Sequence, residues 1–254
     1  ARGGTAFFLS LHYTAPHWPW ETRDDEALAQ EVKGNLFHLH GGNIDTYRRM
    51  IHHMDEGIGR LMDLLRAEGL ERDTLVVFTS DNGGERFSDN WPLVGGKMDL
   101  TEGGIRVPWI AHWPAVIAPG STSTQTCMTM DWSATMLDAA GATAAASHPL
   151  DGRSLMPLLR DATWRDDQPL FWRMNHRGQR AMRHGPWKYL RVDGHDYLFN
   201  LEGDERERAN LAPIAPERLA AMVQAWEAWE ATMPPIPADA TVSLGYGVKD
   251  MPQR

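Results

Sequence analysis

Apolar positions along this chain fall into two recurring patterns. Short runs rich in β-branched and aromatic residues occur at 5–11 (TAFFLSL), at Leu75-Val76-Val77-Phe78 and at 106–113 (RVPWIAHW). Their length and composition predict strands, and Leu75 to Phe78, bounded by a turn cluster, predicts a buried one. Between the first two runs, Tyr47, Met50, Ile51, Met54, Ile58, Leu61, Met62 and Leu65 recur at helical spacing. That stripe predicts a helix over 44–68 with one buried face, capped by Asn43 or Asp45 and ended at Gly69. The helix leads directly into a strand at 74–79, an αβ unit. Further on, a Thr-rich segment around Cys127 reads as a strand. Residues 131–140 read as a short helix stopped by Gly141, with Trp132, Met136 and Leu137 inward, and 142–167 read as a connection.

Beyond that point the pattern changes. Residues 170–174, 179–183, 187–192 and 196–201 are four short strand-like runs separated by turns such as His184-Gly185-Pro186 and Asp193-Gly194, the spacing of an antiparallel meander. Residues 215–232 then predict a helix with Pro216 in its first turn, and with Leu219, Met222, Val223, Trp226 and Trp229 on the face that packs on the meander. From Pro234 the chain is proline-rich and reads as irregular. The expected organisation is an α/β core over 1–165, a small antiparallel β subdomain with a packing helix over 166–233, and a tail over 234–254.

Composition narrows the class. A hydrophobic share of 42% and a charged share of 23% are those of a soluble globular protein. The net charge of −9 argues against nucleic acid and anionic membrane surfaces as partners. No apolar run approaches the roughly eighteen residues of a membrane helix. The single cysteine, Cys127, excludes an internal disulfide framework and a cysteine-based metal site. With no charged or histidine neighbour evident, it reads as an inert thiol rather than a nucleophile. Compartment stays open between cytoplasm and periplasm. The chain starts Ala1-Arg2-Gly3-Gly4 without an initiator Met, and a central strand would begin almost at its first residue, as in a cut or processed product.

Candidate chemistry gathers where strands end. Asp81 and Asn82 follow the 74–79 strand and precede Gly83-Gly84. Adjacent carboxylate and carboxamide oxygens on a glycine turn suit a hard cation, and the same tetrapeptide also suits a plain turn. His17 lies between Pro16 and Pro19, which predict an extended, stiff backbone; it reads as a site residue or as a loop histidine packed on Trp18. Lys97, in a glycine-flanked loop, can reach an anion at the strand end. His38 and His40 read as a metal pair or a solvated loop. His52 and His53 read as structural or surface residues.

Seven segments in one order carry a resemblance: FFLSLHYTAPHWP, YRRMIHHMDEGIGRLMDLL, TLVVFTSDNGGE, GGKMDLTEGGIRVPWIAHWP, MDWSATMLDAAG, LDGRSLMPLL and the closing KYL…DYLFNLEGDERERANLA. Together they resemble the sulfatases, the formylglycine-dependent type within the alkaline phosphatase superfamily, over most of residues 5–232. The resemblance implies a partial alkaline-phosphatase-like α/β sandwich with a C-terminal four-stranded antiparallel sheet plus helix. It implies that Asp81 and Asn82 supply two ligands to calcium or magnesium, that Lys97 contacts the sulfate and the leaving oxygen, and that His17 contacts the sulfate and assists the leaving oxygen. Glu102, Gly103, Gly104 and Arg106 look like the scaffold behind Lys97. An Asp-Asn pair rather than Asp-His favours sulfatases over the related phosphonate and phosphodiester hydrolases.

The family pattern is incomplete. Its Asp-Asp metal pair and its Cys-x-Pro-x-Arg or Ser-x-Pro-x-Arg nucleophile segment have no counterpart; Cys127 is followed by Met-Thr-Met-Asp, and Ser88, Ser133 and Ser154 do not fit either. Three expectations follow. The chain is the C-terminal piece of a sulfatase, inactive alone on a small-molecule sulfate or other ester. Or it is one half of a split enzyme that needs an N-terminal partner. Or it is a self-standing homo-oligomer with cation binding, weak promiscuous ester hydrolysis or a non-catalytic structural role. In each, a divalent cation is held weakly or not at all by this chain alone.

Overall fold

The computed structural model describes residues 5–32, 42–238 and 240. They divide into two compact units, the described residues among 1–71 and those among 72–243.

The first unit holds α1 (Glu26–Val32) and α2 (Ile44–Ala67). The Asn43 side chain accepts the N–H groups of Asp45 and Thr46, both at 2.9 Å, which satisfies two of the helix's orphan donors. At the other end Gly69 takes φ 67°, donates to the Arg66 carbonyl, and lets Leu70 donate to the Leu65 carbonyl. This is a Schellman stop, and the left-handed conformation at Gly69 is what makes it cheap. The apolar stripe is real, but only Met50 and Leu65 of it are fully buried, and Ile51 is exposed. α1 lies in a polar stretch and carries a Gln30 to Glu26 hydrogen bond one turn apart.

Residues 5–11 do not form a strand. Among the described residues they pair with nothing, and Phe7, Phe8, Leu9 and Leu11 are exposed, Phe8 at 72%. A strand needs a ladder partner as well as a propensity, and no described segment supplies one. Nor is the backbone around His17 extended. Its N–H donates to the Thr14 carbonyl at 2.9 Å, the Ala15-Pro16 and Trp18-Pro19 peptides are both cis, and the segment turns. Trp20 is a core residue, packed against Gly42, whose Cβ would lie 2.7 Å from it.

In the second unit β1 (Val76–Thr79) and β2 (Trp109–His112) pair antiparallel, Val76 opposite His112 and Thr79 opposite Trp109. β1 is half-buried rather than buried. Between the two strands lie a long loop and the single turn α3 (Glu102–Ile105). The segment around Cys127 is unpaired, against the strand expected there. α4 (Asp131–Ala139) follows, and the region read as a connection contains α5 (Met156–Arg160). Leu155, Met156, Leu158 and Leu159 are all buried there, and Leu155 N–H donates to the Thr135 hydroxyl.

The meander forms as the runs predict. Strands β3 (Leu170–Met174), β4 (Gln179–His184), β5 (Trp187–Val192) and β6 (His195–Asn200) lie in sequence order. Helix α6 (Pro216–Glu230) covers one face, with Met222 and Trp226 packed on Met182, Tyr189 and Leu198. The opposite face carries Ala181, Leu190 and Phe199, and what covers it is Leu100 and Ile105 from the loop between β1 and β2. The C-terminal sheet is thus the floor on which that loop sits.

Candidate active site at the end of β1

The chain leaves β1 through Ser80, whose hydroxyl donates to the Asn82 carbonyl at 3.1 Å. Asp81 is exposed and Asn82 half-buried. The next residue turns back hard: Gly83 N–H donates to the Gly104 carbonyl at 2.8 Å. A Cβ at Gly83 would lie 1.7 Å from the Gly103 carbonyl oxygen, so only glycine permits this approach. Asn90 then staples the loop. Its side-chain oxygen accepts Gly84 N–H, and its amide donates to the Gly84 and Gly95 carbonyls. Lys97 N–H donates to the Gly84 carbonyl at 3.0 Å. Asp81, Asn82 and Lys97 therefore sit on two loop segments joined backbone to backbone. The Lys97 ammonium, half-buried, lies 3.4 Å from a carboxylate oxygen of the exposed Glu85.

Two oxygens from Asp81 and Asn82 are the donor type a hard cation takes, but such a cation takes about six to eight. Among the described residues no group of three or more His, Cys, Asp or Glu side chains assembles into a metal site. The pair fits part of a coordination shell.

Sequence reasoning placed Glu102 in the scaffold behind Lys97 but missed the partners that hold it: Lys188, Glu207 and Arg183. Glu102, at the start of α3, is 1% exposed, and Lys188 on β5 is 0% exposed. The Lys188 ammonium donates to one Glu102 oxygen at 2.9 Å and lies 2.8 Å from Glu207, whose other oxygen accepts Glu102 N–H at 2.7 Å. Arg183 on β4 donates to the second Glu102 oxygen at 3.2 Å. Burial pushes the Glu207 carboxyl above its ordinary value, and the Lys188 ammonium pulls back against that. Beside this cluster the buried Gln179 side chain accepts Leu100 N–H and donates to the Met98 carbonyl. The one sequence signal was a lysine at a position that alternation places on the same sheet face as Leu190.

The remaining candidates lie elsewhere. His17 belongs to the other compact unit, exposed, with Nδ1 donating to the Trp18 carbonyl at 2.7 Å and its ring 4.8 Å from that of Trp18. His52 pairs with Glu56 along α2. His38 and His40 lie outside the described residues. Cys127 is half-buried, and burial together with nearby Asp131 pushes its thiol up to about 11. No helix among the described residues is long and apolar enough to cross a membrane.

Residues 1–142 match the family model described as Sulfatase, and residues 96–215 match that of N-sulphoglucosamine sulphohydrolase, C-terminal. The chain is 31% identical to human steryl-sulfatase over 280 residues, covering 92% of this chain and 46% of that protein. It is 34% identical to mouse steryl-sulfatase over 222 residues, covering 71% of this chain and 35% of the relative. The crystal structure of Ps i-CgsB in complex with k-i-k-neocarrahexaose superposes with a TM-score of 0.74 at 30% identity, covering 85% of this chain and 48% of that one. The chain thus spans half or less of the length of these relatives.

Proposed function

Since the chain belongs to the sulfatase family, with its alkaline-phosphatase-like α/β fold, we propose that it is the Asp-Asn and Lys portion of a sulfuric-ester hydrolase and does not turn over sulfate esters alone. The observation that carries this reading is the loop pairing at the end of β1, which sets the Asp81-Asn82 turn beside the Lys97 segment. Asp81 and Asn82 hold part of the shell of a divalent cation, calcium or magnesium. That cation, when bound, stabilises charge on the sulfate oxygens. Lys97 exchanges Glu85 for a sulfate or leaving-group oxygen and offsets developing negative charge there. By the same resemblance, His17 is the residue that assists the departing alcohol.

The nucleophile and the remaining cation ligands come from a polypeptide segment of the Cys-x-Pro-x-Arg or Ser-x-Pro-x-Arg type, which these 254 residues do not contain. The unpaired run 5–11 supports the same reading, since its exposed Phe7, Phe8, Leu9 and Leu11 have the composition of a strand that lacks its neighbours.

The test uses a source-gene product that carries such a segment, assayed with an aryl sulfate and calcium. Asn82→Ala and Lys97→Ala are each expected to lower kcat/KM by about a hundredfold or more. Full activity in both variants overturns the assignment. Parallel assays with an aryl phosphate and a carboxylic ester identify the alternative, a promiscuous esterase, if the isolated chain turns those over and His17→Ala and Lys97→Ala abolish the turnover.

A further inference from the structure

Fully burying a lysine beside two carboxylates is a poor way to stabilise a fold. An apolar side chain of the same length fills the space without the desolvation cost, and paired buried ions at best roughly cancel it. What such a cluster can do is fix one arrangement out of several, because each member's polar atoms demand particular partners. The place it occupies makes that role concrete. Lys188 bonds Glu102, and Glu207 takes both the Lys188 ammonium and the Glu102 N–H. One residue on, Gly103 N–H donates to the Val94 carbonyl; two residues on, the Gly104 carbonyl accepts Gly83 N–H, next to Asn82. The Gly84 carbonyl accepts Lys97 N–H. A continuous chain of hydrogen bonds and single peptide units therefore runs from the C-terminal sheet to both halves of the candidate site.

We propose that Lys188 and Glu207 are positioning residues that act through Glu102 to set the Asp81-Asn82 turn and the Lys97 loop in register. The inference deepens the sulfatase reading and rests on it for the meaning of that register, but the linkage itself is a property of this chain alone. Neither residue touches the substrate. The C-terminal sheet is then part of the site's machinery, and not merely an appended layer.

Amide hydrogen exchange on the 254-residue chain, without ligand, tests the linkage directly. Lys188→Met combined with Glu207→Gln removes one charge of each sign and so keeps the pocket balanced. In that variant, peptides covering 80–85 and 96–104 are expected to exchange at least about tenfold faster than in the parent, while peptides of β3 and β4 stay within about twofold. Parent-like protection at 80–85, or acceleration spread evenly across the unit, overturns the proposal, because a purely structural cluster produces one or the other. Should the double variant fail to fold, Glu207→Leu alone carries the same comparison, since it removes the acceptor for Glu102 N–H and leaves Lys188 paired with Glu102. Terbium luminescence titration, with Asp81→Asn as control, is the second arm. Loss of terbium affinity in the positioning variant, at retained melting temperature, is expected. A parent that binds no terbium at Asp81 counts against the cation reading and leaves the exchange result to decide the linkage.

Discussion

Gly83 shows how little room the site leaves at the level of single residues. Its missing Cβ is the space filled by the Gly103 carbonyl. Gly83→Ala must push two backbone segments apart, so we expect a loss of about 2 kcal/mol, a fall of roughly 4–8 °C in Tm by calorimetry. An unchanged Tm contradicts the packing. Cys127 makes a second prediction. Its thiol titrates near 11 in the folded chain against an ordinary 9.0. At pH 7.5 its thiolate is about a hundredfold scarcer than that of an exposed thiol, so iodoacetamide labelling should be slow until urea unfolds the protein. The linkage has a definite sign. A raised folded pKa stabilises the fold below the unfolded value, and that contribution disappears as pH rises from about 9 toward 11. Fast native labelling at neutral pH refutes this environment. The turn at Asp81-Asn82 and the loop position of Lys97 were legible in sequence because their signal is local, a strand end and glycines. Lys188 and Glu207 were not, since their bonds to Glu102 span 86 and 105 residues of sequence, and no periodicity reports which distant partner neutralises a buried charge.

Elements were legible where one local pattern decided them. The caps of α2 and the four strands of the meander follow from residues adjacent in sequence, and the structure places them within a residue or two of expectation. The run at 5–11 was misread because β propensity is a statement about side-chain fit and not about whether a neighbouring strand exists. The helix α5 was missed because five residues offer less than two turns of periodicity. Helix α6 gives the sharpest prediction at this scale. Trp226 is 2% exposed, and its indole N–H donates to the Trp172 carbonyl at 2.9 Å. Trp226→Ala is expected to cost about 3–5 kcal/mol in urea unfolding. A cost below about 1 kcal/mol would mean that α6 is not seated on the sheet.

For the whole molecule, the governing fact is that the chain spans half or less of the sulfatases it resembles. Apolar side chains left at the surface seek cover, and Phe7, Phe8, Leu9 and Leu11 lie exposed within five residues of one another. The isolated chain is therefore expected to self-associate at micromolar concentration, and Phe7→Ser with Phe8→Ser to shift it toward monomer by light scattering. A monomeric parent contradicts this. The central claim, that these residues are one portion of a composite sulfatase site, is tested most directly by the initial rate of aryl-sulfate hydrolysis with calcium, for the isolated chain and for the same chain joined by a polypeptide carrying the Cys-x-Pro-x-Arg or Ser-x-Pro-x-Arg segment. The account predicts background rate for the chain alone and turnover for the pair, abolished by Asn82→Ala. Turnover by the chain alone, sensitive to Asn82→Ala, would contradict it.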